Sequence, residues 1–106
     1  MAILKLKATA AEDALIAALQ DVDVVVREQS AKALGAIKSK KAVRELMKIV
    51  RGWEDEEESV VLQVTKALAE ITDVPNEYET EGTEEERKEA LDAWLGWWEE
   101  NKADYP

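Results

Sequence analysis

The sequence predicts an all-α fold, a right-handed α-solenoid of two helical hairpins closed by a tryptophan-rich C-terminal helix. Residues 31–37 read AKALGAI, and residues 65–71, 34 positions later, read TKALAEI. A repeat of this length in helix-forming residues is typical of stacked helical units. The chain also has only four glycines and two prolines in 106 residues, so little interrupts its helices. We expect one domain over residues 1–106, with repeat one at 9–37, repeat two at 40–72 and a capping helix at 83–101.

The first helix of repeat one is predicted over about residues 10–20. Thr9 and Glu12 have the spacing of a capping box, in which each side chain bonds the other residue's backbone N–H. Residues 1–8 suit either a short strand or a piece of helix packed on the first repeat. The 3.6-residue spacing of the helix places four residues on its apolar face: Ala11, Leu15, Ala18 and Leu19.

Asp23 is a candidate N-cap for the second helix, which we expect over about residues 24–37. Its predicted inward residues are Val26, Ala33, Leu34 and Ile37, with Ser30 on the same stripe.

Repeat two follows the same order. A third helix is predicted from Lys40 or Lys41 to Arg51, ended by Gly52 and burying Val43, Leu46, Met47 and Val50. After an acidic loop, a fourth helix over about 57–72 has a helical apolar period, although its valines alone would also suit a strand. Its predicted core residues are Val60, Val61, Val64, Ala67, Leu68 and Ile71.

The C-terminal part combines a loop over residues 73–82 with a fifth helix from Thr83 to about Asn101. Thr83 and Glu86 form a second capping-box pattern. Leu91, Trp94, Leu95 and Trp98 follow at helical spacing, with Trp97 at the margin. The tryptophans suit either a ligand platform or a cover over the last apolar face. Their helical spacing favours the cover, with Trp94 and Trp98 packed on the fourth helix.

Residues 15–27, followed by 31–37, resemble a HEAT-like repeat of the phycobilisome-lyase type. In that type an Asp-containing turn precedes a Val-Arg pair, and Asp21, Asp23, Val26 and Arg27 match this pattern. The resemblance implies that Arg27 bonds the turn carboxylates and joins neighbouring units. The second unit departs from the pattern, because Val61 stands where the arginine should be. Lys38-Ser39 also replaces the usual Gly-Asp between units.

The resemblance also implies that the second helices of successive units line a concave surface, on which another protein or peptide binds. Residues 24–37 align with 58–71 at six identical positions of 14, and the core does not explain two of these pairs, Gln29/Gln63 and Lys32/Lys66. The predicted partner-binding residues are Glu28, Gln29, Lys32, Leu62, Gln63, Lys66 and Glu70. The lysines suit an acidic or carbonyl-rich peptide. Matching solvated residues left by duplication are the alternative, and a chromophore-lyase-like accessory subunit is the rival function.

Charge is unevenly distributed, with a net +3 in residues 1–50 and −13 in residues 51–106, which together give −10. The acidic half disfavours binding to nucleic acid and to anionic membranes. It suits solubility or the attraction of a basic partner. Neither a signal-peptide core nor an apolar stretch that could span a membrane is present in the sequence. We expect a cytoplasmic monomer.

Catalysis and metal binding have little support in the residue types. The chain has no histidine and no cysteine, which removes the commonest general base and metal ligand and any thiolate site. The segment that begins at Glu77 places Gly82 at position six, as in an EF-hand loop, but Lys88 stands at position twelve where a glutamate ligand belongs. We therefore expect no catalytic residue, no metal site and no cofactor.

Overall fold

The computed structural model describes residues 2–106, with side chains described from residue 10 onward. The described residues form five α-helices and no strands. The helices are α1 (Ala2–Ala18), α2 (Val24–Ala36), α3 (Val43–Arg51), α4 (Glu58–Thr72) and α5 (Glu84–Asn101). Short 3₁₀ turns precede α3 (Lys40–Ala42), follow it (Trp53–Asp55) and follow α5 (Lys102–Asp104). None of the helices in these residues is both long and apolar enough to cross a bilayer.

Helix α1 begins earlier than the sequence predicted. It is continuous from Ala2 to Ala18, so residues 2–8 are helical and Thr9 lies inside the helix instead of capping it. The capping-box bond of the Thr9 side chain lies outside the described residues. No proline or glycine interrupts residues 2–18, and the helix therefore extends through Thr9. Ala11 is exposed, contrary to expectation, whereas Leu15 and Ile16 pack against the core and Leu19, just past the helix, is buried.

Helix α2 is capped as predicted, but only Ser30 and Leu34 of its predicted stripe are fully buried. The Asp23 carboxylate accepts the Val25 N–H at 2.8 Å. Ile37 lies past the last turn and is 54% exposed, so the prediction that it is buried is wrong. Val26 and Ala33 are half-buried. The buried residues of α2 are Ser30, Ala31, Leu34 and Gly35.

The end of α2 is a Schellman motif. Lys38 has a left-handed backbone (φ 53°), and the Ser39 N–H bonds the Leu34 carbonyl at 3.0 Å. The chain therefore reverses at the position where the resemblance places glycine. The neighbouring hydroxyl, Ser39 Oγ, is buried without a hydrogen-bond partner among the described residues.

Repeat two agrees closely with the sequence prediction. Gly52 is the C-cap of α3, and Asp73, whose backbone is left-handed (φ 62°), is the C-cap of α4. The predicted core residues are all buried: Val43, Leu46, Met47, Val50, Val60, Val61, Val64, Ala67, Leu68 and Ile71.

The helices pack as successive hairpins. Helix α1 packs on α2, α3 packs on α4, and the two second helices, α2 and α4, share the largest contact. This contact is close because Gly35 has no side chain. A Cβ atom added to Gly35 would lie 2.8 Å from the Ala67 Cα, nearer than atoms can approach. The core is continuous from Leu19 through both hairpins to Trp98.

Helix α5 covers the second hairpin from an unexpected side. Trp94 and Trp98 are 2% and 6% exposed and Trp97 is half-buried, as predicted. The helix packs mainly on α3 instead of α4, however, and Arg44 of α3 lies 5.1 Å from the centre of the Trp98 ring. The reason is the path of residues 73–82, here called the linker. It runs back along α4, so that Arg87 in α5 lies near Glu58 at the start of that helix.

The start of α5 is the predicted capping box. Thr83 Oγ1 accepts the Glu86 N–H, and Glu86 Oε1 accepts the Thr83 N–H, both at 3.1 Å. The backbone bond from Thr83, with the bond to its side chain, holds the pKa of Glu86 below its ordinary value.

Candidate partner-binding surface

The two second helices present repeated polar side chains on one side. Gln29, Lys32 and Lys66 are exposed and Gln63 is half-buried. Positions 29 and 32 of α2 are equivalent to positions 63 and 66 of α4, and the two helices lie side by side. We call these four residues the second-helix face. None of the four forms a hydrogen bond with another described side chain. Their polar groups are therefore open to solvent or to a ligand.

Glu28 joins the two helices instead of extending this surface. Its carboxylate accepts the Ser59 hydroxyl at 2.5 Å, across the contact between α2 and α4. Sequence reasoning missed Ser59, because the pairing depends on how the two helices are shifted along each other. The Glu28 carboxylate is therefore hydrogen-bonded within the protein, to Ser59.

Glu70 lies at the far end of the same contact. Its Oε2 is 3.3 Å from the point that a Cβ of Gly35 would occupy, and the side chain is exposed. Gly35 thus lets α4 approach closely and lets the Glu70 carboxylate lie against α2. A glycine inside a helical pattern is the sequence signal for such an approach.

Leu62 lies on another side of α4, at a cleft between that helix and the linker. The cleft has a volume of about 670 Å³, and Leu62, Lys66, Ala69 and Glu70 form its α4 side. Lys66 therefore borders both the cleft and the second-helix face. The predicted seven-residue array divides into an open polar face, a contact between helices and a cleft wall.

The linker wall of this cleft is held in place by polar bonds. Asn76 Oδ1 accepts both the Tyr78 N–H and the Trp94 Nε1–H, each at 3.1 Å. Arg87 Nη1 donates to the Gly82 carbonyl at 2.6 Å and to the Thr80 carbonyl at 3.2 Å. Sequence patterns identified this segment only as a loop and gave no sign of these anchors.

The anchored linker buries Tyr78, which is 4% exposed. Burial raises the pKa of the Tyr78 phenol above its ordinary value, and the nearby charge of Glu58 adds to this, while Arg87 opposes it. Arg87 also lies 3.4 Å from the Glu58 carboxylate at the start of α4. The linker, α4 and the first turns of α5 are therefore joined around one buried phenol.

Arg27 joins two units, although not through the groups that the resemblance implied. It donates to the carbonyls of Asp21 and Val22 at 2.8 and 3.2 Å, not to the turn carboxylates. It also pairs with both Glu56 carboxylate oxygens, at 2.7 and 3.1 Å. The carboxylates of the turn instead cap backbone N–H groups, that of Asp21 at Asp23. The carboxylate partner of Arg27 is therefore Glu56 in the acidic loop of repeat two, and not a carboxylate of the short turn.

Metal binding has no assembled donor set in the part of the chain that the structure describes. No three His, Cys, Asp or Glu side chains there are placed to share an ion. In the segment that begins at Glu77, two backbone carbonyls already accept from Arg87.

These features define an all-α protein of stacked helical hairpins. The family of HEAT repeats matches residues 12–93, and the chain belongs to that family. HEAT repeats are generally a non-catalytic scaffold fold and commonly mediate protein interactions. The family match does not distinguish the phycobilisome-lyase type. No curated protein and no solved structure matches the chain with significance.

Proposed function

We propose that this protein is an interaction scaffold that binds a partner protein or peptide on the second-helix face. The observation that supports it is the repeated placement of Gln29/Gln63 and Lys32/Lys66, side by side and without hydrogen bonds to other described side chains. Glutamine both donates and accepts hydrogen bonds, whereas lysine only donates. Such an array suits a peptide rich in carboxylates or in exposed backbone carbonyls.

The surrounding charge would favour selective binding. Residues 51–106 carry a net −13, so a strongly acidic partner is repelled from most of that half. A partner with a short acidic segment would find its complementary charge at Lys32 and Lys66. We further propose that the chain acts as a single monomeric domain in the cytoplasm, with hairpins at residues 9–37 and 40–72 and a cap at 83–101.

The test begins with the proteins that co-purify from the native host, followed by calorimetric titration of each candidate. Lys32→Glu combined with Lys66→Glu should weaken binding at least about tenfold, because two attractive charges become repulsive. Lys38→Glu combined with Lys40→Glu is the matched control, since it makes the same charge change in an exposed turn. Equal affinities of the two double variants would overturn the proposal and indicate that the four polar residues are only solvated remnants of duplication.

The phycobilisome-lyase resemblance offers an accessory subunit of a chromophore lyase as the rival function. No observation favours it over the general scaffold role. Absorbance of the protein purified from its native host separates the two, because a bound tetrapyrrole is coloured and the scaffold is not.

A further inference from the structure

Helix α5 occupies the position that the first helix of a third hairpin would take. It packs on α3, the first helix of the preceding hairpin. The match to HEAT repeats also continues to residue 93, well into α5. The described residues after α5 do not form the second helix, because Tyr105 turns back to within 5.6 Å of the Trp97 ring centre. The linker lies beside α4 and leaves an open cleft between itself and that helix.

The outer side of α4 corresponds to a surface that α2 uses for helix packing. Glu28 and Gly35 of α2 contact α4 at Ser59 and Ala67. A shift of 34 positions converts these two into Leu62 and Ala69 of α4. Both are half-buried, and both line the cleft of about 670 Å³ beside the linker. The repeat therefore places a helix-packing surface on the α4 wall of this cleft.

The charge of the cleft selects the kind of helix that fits. Glu70, Glu79 and Glu81 line it, against one cation, Lys66. The backbone next to the two linker glutamates is bonded at the Thr80 carbonyl, which accepts from Arg87, and at the Tyr78 N–H, which donates to Asn76. A basic helix is therefore complementary to this cleft, and an acidic one is repelled.

We propose that the cleft binds one basic amphipathic helix of a partner protein, which completes a third hairpin with α5. Helix-in-groove binding of this kind uses the apolar face of the helix for contact and its charges for selection. A second copy of this chain is a poor occupant. Its α2 already packs on its own α1 and α4. The site is separate from the second-helix face, although Lys66 borders both.

The chain itself supplies a suitable probe. A synthetic peptide with the sequence of residues 24–38 copies α2. Its positions 25 and 33 are equivalent to Ser59 and Ala67, through which α4 contacts α2. A hydrocarbon staple between its positions 28 and 35 keeps this short peptide helical, since isolated helices of its length are marginal in water. The staple also removes the one acidic residue and leaves three cations, from Arg27, Lys32 and Lys38.

The experiment is a titration of this peptide into the ¹⁵N-labelled full chain, followed by NMR. We expect saturable shifts at the amides of Leu62, Ala69 and Glu79. Glu79→Lys combined with Glu81→Lys should weaken binding by about tenfold or more, because it reverses the charge of the linker wall. Glu54→Lys combined with Asp55→Lys changes the net charge equally on another loop and should change the dissociation constant less than about twofold.

Several results would overturn the inference. One is the absence of shifts at Leu62 and Ala69 up to about 1 mM peptide, where even a weak specific complex forms. Another is equal weakening by the two double variants, which would indicate non-specific charge attraction. A third is self-association of the full chain, measured by sedimentation, that competes with the peptide for the cleft. This result would make a second copy the occupant. Shifts confined to Gln29 and Lys32 would assign the peptide to the second-helix face and leave the function proposed above standing.

Discussion

The contact between α2 and α4, here called the seam, differs in its chemistry from the contact between α5 and the rest of the protein, here called the lid. The seam is built from small residues, and at Gly35 the two helices approach until no Cβ would fit. The lid is built from Trp94, Trp97 and Trp98, with a cation over one ring and an indole N–H bonded to the linker. One contact depends on backbone proximity and the other on large side chains.

The difference follows from what each contact must join. The seam joins two regular helices, and small residues let them lie against each other along their length. The lid joins a helix to an irregular surface of α3 and linker. Tryptophans fill such a surface, and their polar N–H groups can bond loop atoms. Substitutions that add side-chain volume should therefore destabilise the seam, and substitutions that remove side-chain volume should destabilise the lid.

The largest expected effect is in the lid. Trp98→Ala should lower the free energy of unfolding by about 3–5 kcal/mol, because the ring is buried and contacts Arg44. Urea denaturation followed by circular dichroism measures the loss. Trp97→Ala is the matched control and should cost less, since that ring is half-buried. A loss below about 1 kcal/mol at Trp98 would mean that the tryptophans form an exposed platform instead of a cover.

The two leucines at equivalent positions beside the seam come next. Leu34→Ala and Leu68→Ala should each cost about 2–5 kcal/mol, because both side chains are fully buried in the shared core. Chemical denaturation of both variants tests this, with Val25→Ala as the control. Val25 is 59% exposed and should change stability by less than about 0.5 kcal/mol. Unequal losses at the two leucines would show that the repeats do not contribute equally to the core.

The helices of repeat two could be predicted closely from the sequence, because their signals are local. The period of Val60, Val64 and Leu68 defines α4, and the capping box at Thr83 defines the start of α5. The exposure of Ile37 and the partner of α5 could not be predicted. The first depends on where α2 ends, one residue before Ile37, and the second on the path of the linker, and periodicity encodes neither.

The candidate site shows the same limit. Helical spacing was enough to expect exposed side chains at Gln29, Lys32 and Lys66. It could not show that Glu28 would bond Ser59, because that bond depends on the shift between two helices. It also could not show that Leu62 would face a cleft, because the linker that forms the other wall has no period.

A pair of glycine substitutions compares the seam and the lid directly. Gly35→Ala should lower stability by about 1–3 kcal/mol, since the added methyl overlaps the Ala67 backbone and the helices must separate. Gly96→Ala in α5 should instead raise stability by about 0.5–1 kcal/mol. Its added methyl meets no described atom within 4 Å, and alanine favours the helix over glycine. Thermal and urea unfolding of both variants measure whether each substitution lowers or raises stability. A stabilising Gly35→Ala would contradict the close approach at the seam.

The smallest effect is confined to alkaline pH and tests whether the linker is part of the lid. The pKa of Tyr78 is raised by burial, so the folded state holds the phenol proton more strongly than the unfolded state. Tyr78 therefore contributes stability that is fully present below its ordinary pKa of about 10 and is lost as pH rises through the folded value. Tyr78→Phe removes this contribution but keeps the ring. The free energy of unfolding of the parent protein should consequently fall more steeply than that of the variant between about pH 9 and pH 11. Lysine titration affects both proteins equally, so the difference between the two curves isolates Tyr78. Parallel curves would mean that the linker opens in solution and leaves the phenol in water, and the lid would then consist of α5 alone.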